Sequence, residues 1–210
     1  MIATEAEARS FVANLCDGGA MDRLDRFVAL LLSEMERQNL IAAGTVPVLW
    51  QRHMADSAQL LNLVSRETGT WLDLGTGAGF PGVVIAAMRP EIPMVLVESR
   101  RRRIEWLEHC CDVLDLSNCH VAGMPLEQLD SFPVGVISAR AFAPLPKLLD
   151  LSARFSTGDT VWLLPKGRNA GLELQALPQN QREMFHVEQS LTDPDAGILV
   201  RQPLPLGETA

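Results

Sequence analysis

The sequence predicts an α/β fold, a mostly parallel, doubly wound sheet with a helical N-terminal extension. Two patterns predict it. From residue 70 onward short apolar runs alternate with helical segments, the order that parallel strands and crossover helices require. Before that point the apolar residues recur at helical spacing instead. The expected organisation is therefore a helical subdomain over residues 1–65 and a sheet-bearing domain over 66–210.

Each element has a local reason. Thr4-Glu5-Ala6-Glu7 is a capping box, with a hydroxyl at the N-cap and a carboxylate three residues on. It opens a short helix carrying Phe11, Val12 and Leu15, which Gly18-Gly19 is expected to end. A second helix is predicted over 21–37, with Leu24, Phe27, Val28, Leu31 and Leu32 on one face. Residues 41–45 read as a loop, and Pro47 suits the first turn of a third helix running to about Ser65. The predicted strands are Trp71–Leu74, Met94–Glu98, Cys119–Val121, Val134–Ser138 and Val161–Leu164. Helices are expected near 82–89, 100–115 and 145–154, and segments near 185–188 and 198–201 can form a terminal antiparallel pair.

Composition narrows the class. The chain has 210 residues, 47% hydrophobic and 21% charged, which is ordinary for a globular domain and excludes disorder. No apolar run approaches the ~18 residues that a membrane helix needs, so no membrane role is expected. The acidic opening lacks the basic and then apolar pattern of a signal peptide, and four cysteines without CxxC spacing read as reduced thiols. The expected compartment is the cytoplasm and the expected state a monomer. A net charge of −8 taken alone argues against nucleic acid, because phosphate binding rests on Lys and Arg.

The strongest signal is Trp71-Leu72-Asp73-Leu74-Gly75-Thr76-Gly77-Ala78-Gly79-Phe80-Pro81-Gly82, a strand running into a glycine-dense turn and then a helix. Such a turn lets a ligand approach main-chain atoms. Glu98 ends the next strand, where a carboxylate can accept hydrogen bonds from ribose hydroxyls. Two ligands compete for this pocket. Gly77–Gly82 satisfies the GxGxxG dinucleotide pattern, which fits an NAD(P)-dependent oxidoreductase. The longer D-x-G-x-G-x-G from Asp73 favours S-adenosylmethionine, because an acid there repels a pyrophosphate but suits a cationic cofactor.

Four blocks together resemble the bacterial 16S ribosomal RNA (guanine-N7) methyltransferases, the RsmG or GidB family. They are Arg52-His53-Met54-Ala55-Asp56-Ser57, the Leu72–Gly82 loop, Val136-Ile137-Ser138-Ala139-Arg140-Ala141 and Leu164-Pro165-Lys166-Gly167, in the family's order. The resemblance implies a class I S-adenosylmethionine-dependent methyltransferase of Rossmann-like fold, acting on 16S rRNA of the small subunit. It places the cofactor against Gly75 and Phe80, beside Leu126-Glu127 and Arg140, and the residues themselves add Asp73, Gly77, Gly79 and Glu98 as candidate cofactor contacts. Non-catalytic RNA binding on the same fold stays open as an alternative.

The residues fit this chemistry. Methyl transfer from a sulfonium needs mainly alignment, and guanine N7 exposes a lone pair that needs no base. The strand end at 136–141 carries neither an N/D-P-P-Y sequence nor a Pro-Cys thiolate, so no catalytic base or nucleophile is assigned. Arg140 is expected to shape the cofactor pocket or meet rRNA phosphate. Phe80 either stacks on a ligand or fills space, Phe142 reads as core, and His53 and Asp56 as a polar pair that docks the N-terminal helices. Cys110, Cys111 and Cys119 read as buried small residues and no metal site is expected. Arg100, Arg101, Arg102 and Arg103, with Lys166, are candidates for rRNA phosphate; the alternative for the arginine run is a solvated first helical turn.

Overall fold

A computed structural model of the chain describes residues 1–65 and 67–203. Its centre is a seven-stranded sheet of order β3-β2-β1-β4-β5-β7-β6. The strands are β1 (Trp71–Leu74), β2 (Met94–Val97), β3 (Cys119–Ala122), β4 (Val136–Ala139), β5 (Val161–Lys166), β6 (His186–Gln189) and β7 (Gly197–Arg201). The first five are parallel, and β7 runs antiparallel to both β5 and β6. All seven fall within two residues of where the sequence places them, β4 starting at Val136 rather than Val134 and β5 running on to Lys166. The reversal in strand order at β1, between β2 and β4, opens a crevice at the carboxyl ends, where ligands of such sheets bind.

Alternation along each strand divides the core into two layers. Trp71, Val136, Leu163 and Val200 face one side, beneath the helices α1 (Glu5–Ala13), α2 (Gly18–Glu34), α4 (Gly82–Met88) and α5 (Arg101–Val113). Leu72, Leu74, Ile137, Trp162 and Leu199 face the other, covered by α6 (Leu145–Ser152) and α7 (Ala170–Gln175), with the short α8 (Gln179–Arg182) beyond. The N-terminal helices thus share their core with the sheet. Phe27 of α2 meets Phe80 edge-on at 5.5 Å and stacks on Trp106 at 6.2 Å.

Two N-terminal expectations are corrected. Gly18-Gly19 does not end the first helix; α1 stops at Ala13, and the glycines open α2 because the Asp17 carboxylate caps it, accepting from the Ala20 amide at 2.7 Å. The third helix is not one regular α-helix from Pro47. Residues 43–48 form a 3₁₀ turn containing Pro47, Trp50–Ala55 winds as a π-helix, only Asp56–Ala58 (α3) is α-helical, and Gln59–Leu63 returns to 3₁₀. The π segment is where Arg52 and His53 stand, and π turns concentrate at functional positions. Among the described residues, no helix is long and apolar enough to cross a membrane.

Candidate active site

The β1–α4 turn is held from three sides. Gly75 and Thr76 donate their amides to the Val97 carbonyl of β2 at 2.9 and 3.1 Å. The indole of Trp106 donates to the Ala78 carbonyl at 3.0 Å. Beneath the turn lies Asp73, fully buried, whose carboxylate accepts from Ser138 Oγ at 2.7 Å and from the Gly82 amide at 3.1 Å, while Trp71 Nε1 donates to the same serine. Burial pushes the Asp73 pKa up to about 6, against the hydrogen bonds from Ser138 and Gly82. Asp73 therefore ties β1, β4 and α4 together under the loop and does not line the crevice above it.

Gly75 and Gly79 require glycine for different reasons. Gly75 has φ +66, and a Cβ there would lie 2.7 Å from the Phe142 ring. Gly79 has φ +109, and a Cβ would lie 2.8 Å from Phe27, so it lets α2 approach the turn.

Above the turn opens a cleft of about 410 Å³, within the range of cofactor-sized pockets. Of the sequence-predicted residues, Gly75, Gly77, Phe80, Glu98, Leu126, Glu127, Arg140, Arg100 and Arg103 line it. Asp73 and Gly79 support it from below. The Glu98 carboxylate accepts amides of Gly77 (3.2 Å), Ser99 (2.8 Å) and Arg100 (2.9 Å). Three of its roughly four acceptor positions are thereby used, and one remains for a hydroxyl. Leu126 is fixed by a hydrogen bond from Arg154 to its carbonyl.

The arginine run does not act as one patch. Arg101 is exposed and pairs with Glu105 at 2.9 Å, one helical turn on. Arg102 borders a separate hollow with Trp106 and His109. Arg103 turns inward to donate to the Asn39 carbonyl. Only Arg100 and Arg103 reach the cleft.

A second cavity, of about 870 Å³, adjoins the first, and the two share Arg140, Ala141, Phe142 and Ala143 as a common wall. Sequence reasoning missed this cavity because its charged residues come from four distant segments. Arg52 pairs with Asp193 at 2.6 Å, Lys166 with Glu173 at 2.8 Å, and Arg140 with Asp56 at 3.6 Å. His53 and Asp56 do not bond to each other; they meet through Arg140, while Asp56 also accepts from Thr192 (2.8 Å) and Gln59 (2.9 Å). Phe142, read from sequence as core, packs on the core but also lines both cavities.

The hydrogen bonds in the wall fix the His53 tautomer. A guanidinium only donates, so Arg140 Nη2, 3.3 Å from His53 Nδ1, makes that nitrogen the acceptor. Nε2 then carries the proton and donates to Thr45 Oγ1 at 2.8 Å, whose own proton goes to the Ala42 carbonyl. Burial, with Arg140 and Arg52 nearby, holds the His53 pKa down to about 3, so the ring is neutral. It stacks on Phe80 at 4.9 Å, and Arg140 lies 5.0 Å over the same Phe80 ring.

A glycine turn under a switch-point cleft, with an acid closing the next strand, is shared by class I methyltransferases and dinucleotide enzymes, and comparison with known proteins decides for the methyltransferases. Solved structures carry the same fold. A SAM-dependent methyltransferase from Aquifex aeolicus aligns with TM-score 0.57 at 15% identity, covering 75% of this chain and 94% of that one. A putative O-methyltransferase from Klebsiella pneumoniae aligns with TM-score 0.58 at 16% identity, covering 87% and 90%. The family model described as rRNA small subunit methyltransferase G matches residues 20–193, and this chain belongs to that family. Relatives bearing the name ribosomal RNA small subunit methyltransferase G include one from Erythrobacter litoralis, 62% identical over 95% of this chain and 97% of its own. Another, from Novosphingobium aromaticivorans, is 57% identical over 97% and 93%. The chain is therefore a methyltransferase, and the oxidoreductase alternative falls away.

Proposed function

We propose that the protein transfers a methyl group from S-adenosylmethionine to guanine N7 in 16S rRNA of the small ribosomal subunit, in the cytoplasm. The observation that carries the reading is the shared wall between a cofactor-sized cleft and a larger cavity, in a chain 62% identical to a ribosomal RNA small subunit methyltransferase. The cofactor fits the cleft: its volume of about 410 Å³ is cofactor-sized, and Glu98 keeps acceptor capacity for a ribose hydroxyl. When bound it supplies an electrophilic methyl on a sulfonium. An acceptor with a free lone pair and no proton to lose would ask no general base of this chain. The chain's own residues support such a positioning reaction. His53 is neutral with both nitrogens engaged, and Arg140 is held between His53 and Asp56, so it shapes the wall that aligns donor and acceptor.

The test incubates the protein and labelled cofactor with small subunits, naked rRNA and free nucleosides, and locates the product as strand scission after borohydride and aniline. Label in a guanine of 16S rRNA is the expected result. Label on none of the three defeats the proposal.

A further inference from the structure

We infer that Cys111 and Cys119 form a reversible disulfide that staples the end of α5 to the start of β3, with a small disulfide such as oxidised glutathione as the oxidant. Neither residue lines the cleft or the larger cavity.

The backbone brings the two thiols together. Helix α5 ends in a turn with Asp115 in the left-handed region, at φ +55. There the Leu116 amide donates back to the Cys111 carbonyl at 2.9 Å, and the Asp115 amide to the Asp112 carbonyl at 3.3 Å. This double closure reverses the chain, and the Cys119 amide donates to the Leu116 carbonyl at 3.0 Å as β3 begins. Asn118 fixes the return, its side-chain amide reaching the carbonyls of Ala86, Arg89 and Ile92 at 3.3, 3.2 and 3.0 Å. The side chains of Cys111 and Cys119 then meet in a hydrogen bond, S–H to sulfur. Both are half-buried, so the expectation of buried small residues holds for Cys110 alone.

Cys110 does not compete as a partner. Consecutive helical residues point roughly 100° apart, so vicinal thiols on a helix do not face each other. Cys110 is also fully buried in the core, and burial pushes its thiol up.

The pair divides the chemistry between its members. The S–H of Cys119 holds the Cys111 thiol below its ordinary range, against burial and the carboxylates of Asp112 and Glu108. The same hydrogen bond keeps Cys119 protonated. Cys111 is therefore the attacking thiolate. It attacks one sulfur of the oxidant, whose S–S bond breaks, and the first small thiolate leaves with the bonding pair. Cys119 gives its proton to that thiolate, attacks the Cys111 sulfur and displaces the second. Two protein thiols are oxidised, and one small disulfide is reduced to two thiols.

The test treats the full chain with oxidised glutathione, alkylates the remaining thiols, unfolds the protein and cleaves it at Asp112 and Asp115, between the two cysteines, before mass spectrometry. A Cys111–Cys119 crosslink that dithiothreitol releases is expected in wild type and in Cys110→Ala. Cys119→Ser should instead retain glutathione on Cys111. The oxidised wild type should melt about 5 °C above the reduced protein, because a closed loop restricts the unfolded chain, and Cys119→Ser should show no such rise. Glutathione retained on wild-type Cys111, a crosslink through Cys110 or between two chains, or a crosslink that lowers the midpoint overturns the inference. So does a pair that stays reduced.

Discussion

The two cavities that share one wall are built by opposite means. The cofactor cleft is made of backbone: a twelve-residue stretch, Trp71–Gly82, supplies its floor, and Glu98 is oriented by three amides. The larger cavity is made of paired side chains from the π segment, β4, the end of β5 with α7, and the β6–β7 turn. A backbone-built pocket fails when a single Cβ intrudes. One built from ion pairs loses affinity gradually, one pair at a time. Substitutions can therefore separate the two.

The largest effect is expected at the cleft floor. Gly75→Ala places a methyl 2.7 Å from the Phe142 ring at φ +66, so it combines a left-handed penalty of about 1–2 kcal/mol with a clash. Cofactor affinity should fall by roughly a hundredfold, read by calorimetry with S-adenosylhomocysteine. Near-normal affinity in this variant would show that the floor yields, and the contrast with the cavity would disappear.

Asp73→Ala should cost about 2–4 kcal/mol in chemical denaturation, because the Gly82 amide and the Ser138 hydroxyl lose a buried acceptor. The cost depends on pH. Burial raises the native pKa of Asp73 to about 6, above the ordinary 3.8 of an exposed aspartate. Between about pH 4 and 6 the unfolded chain releases this proton before the native state does, so this group's contribution to wild-type stability falls as pH rises through that window. The penalty of Asp73→Ala should therefore be larger at pH 4 than at pH 7. A penalty that grows with pH would contradict the burial argument.

These two pockets also explain what could be read from sequence. The central strands β1, β2, β4 and β5 were legible because each is a mainly apolar run bounded by turn residues, unlike the polar β6, and the cleft because its chemistry is contiguous from Asp73 to Gly82. The π segment was not legible: its apolar spacing resembles an α-helix, and nothing local marks where the winding loosens around His53. The cavity was hidden for a different reason, since Asp193 and Glu173 are ordinary surface acids until β5, β7 and the π segment bring them to Arg52 and Lys166. Phe142 had one local signal, its place directly after the Arg140-Ala141 strand end. The net charge of −8 misled for a related reason, because a global sum says nothing of which cations reach a site.

His53 gives a smaller effect of opposite sign. Its native pKa of about 3 lies below the ordinary 6.5, so between those values the unfolded chain binds a proton that the folded ring refuses. Wild type should lose stability as pH drops through this window, by up to a few kcal/mol. His53→Asn keeps an acceptor near the Nδ1 position and cannot titrate; its unfolding midpoint should be flatter below pH 6. An equally steep acid limb in the variant would place the titrating group elsewhere.

The smallest effect is expected outside both pockets, at Arg101 and Arg102. Arg101 keeps 89% of its side chain exposed, and its pair with Glu105 joins two exposed groups, which contributes well under about 1 kcal/mol. Neither arginine lines the cleft. Arg101→Ala with Arg102→Ala should therefore leave cofactor affinity and thermal stability unchanged, and any effect must come from long-range attraction or phosphate contact. If both meet rRNA phosphate, the slope of log affinity for small subunits against log salt should flatten by about two. An unchanged slope would assign these side chains to a solvated helical turn. rRNA contact at this end of the site would then rest on Arg100 and Arg103, the two members of the run that face the cleft.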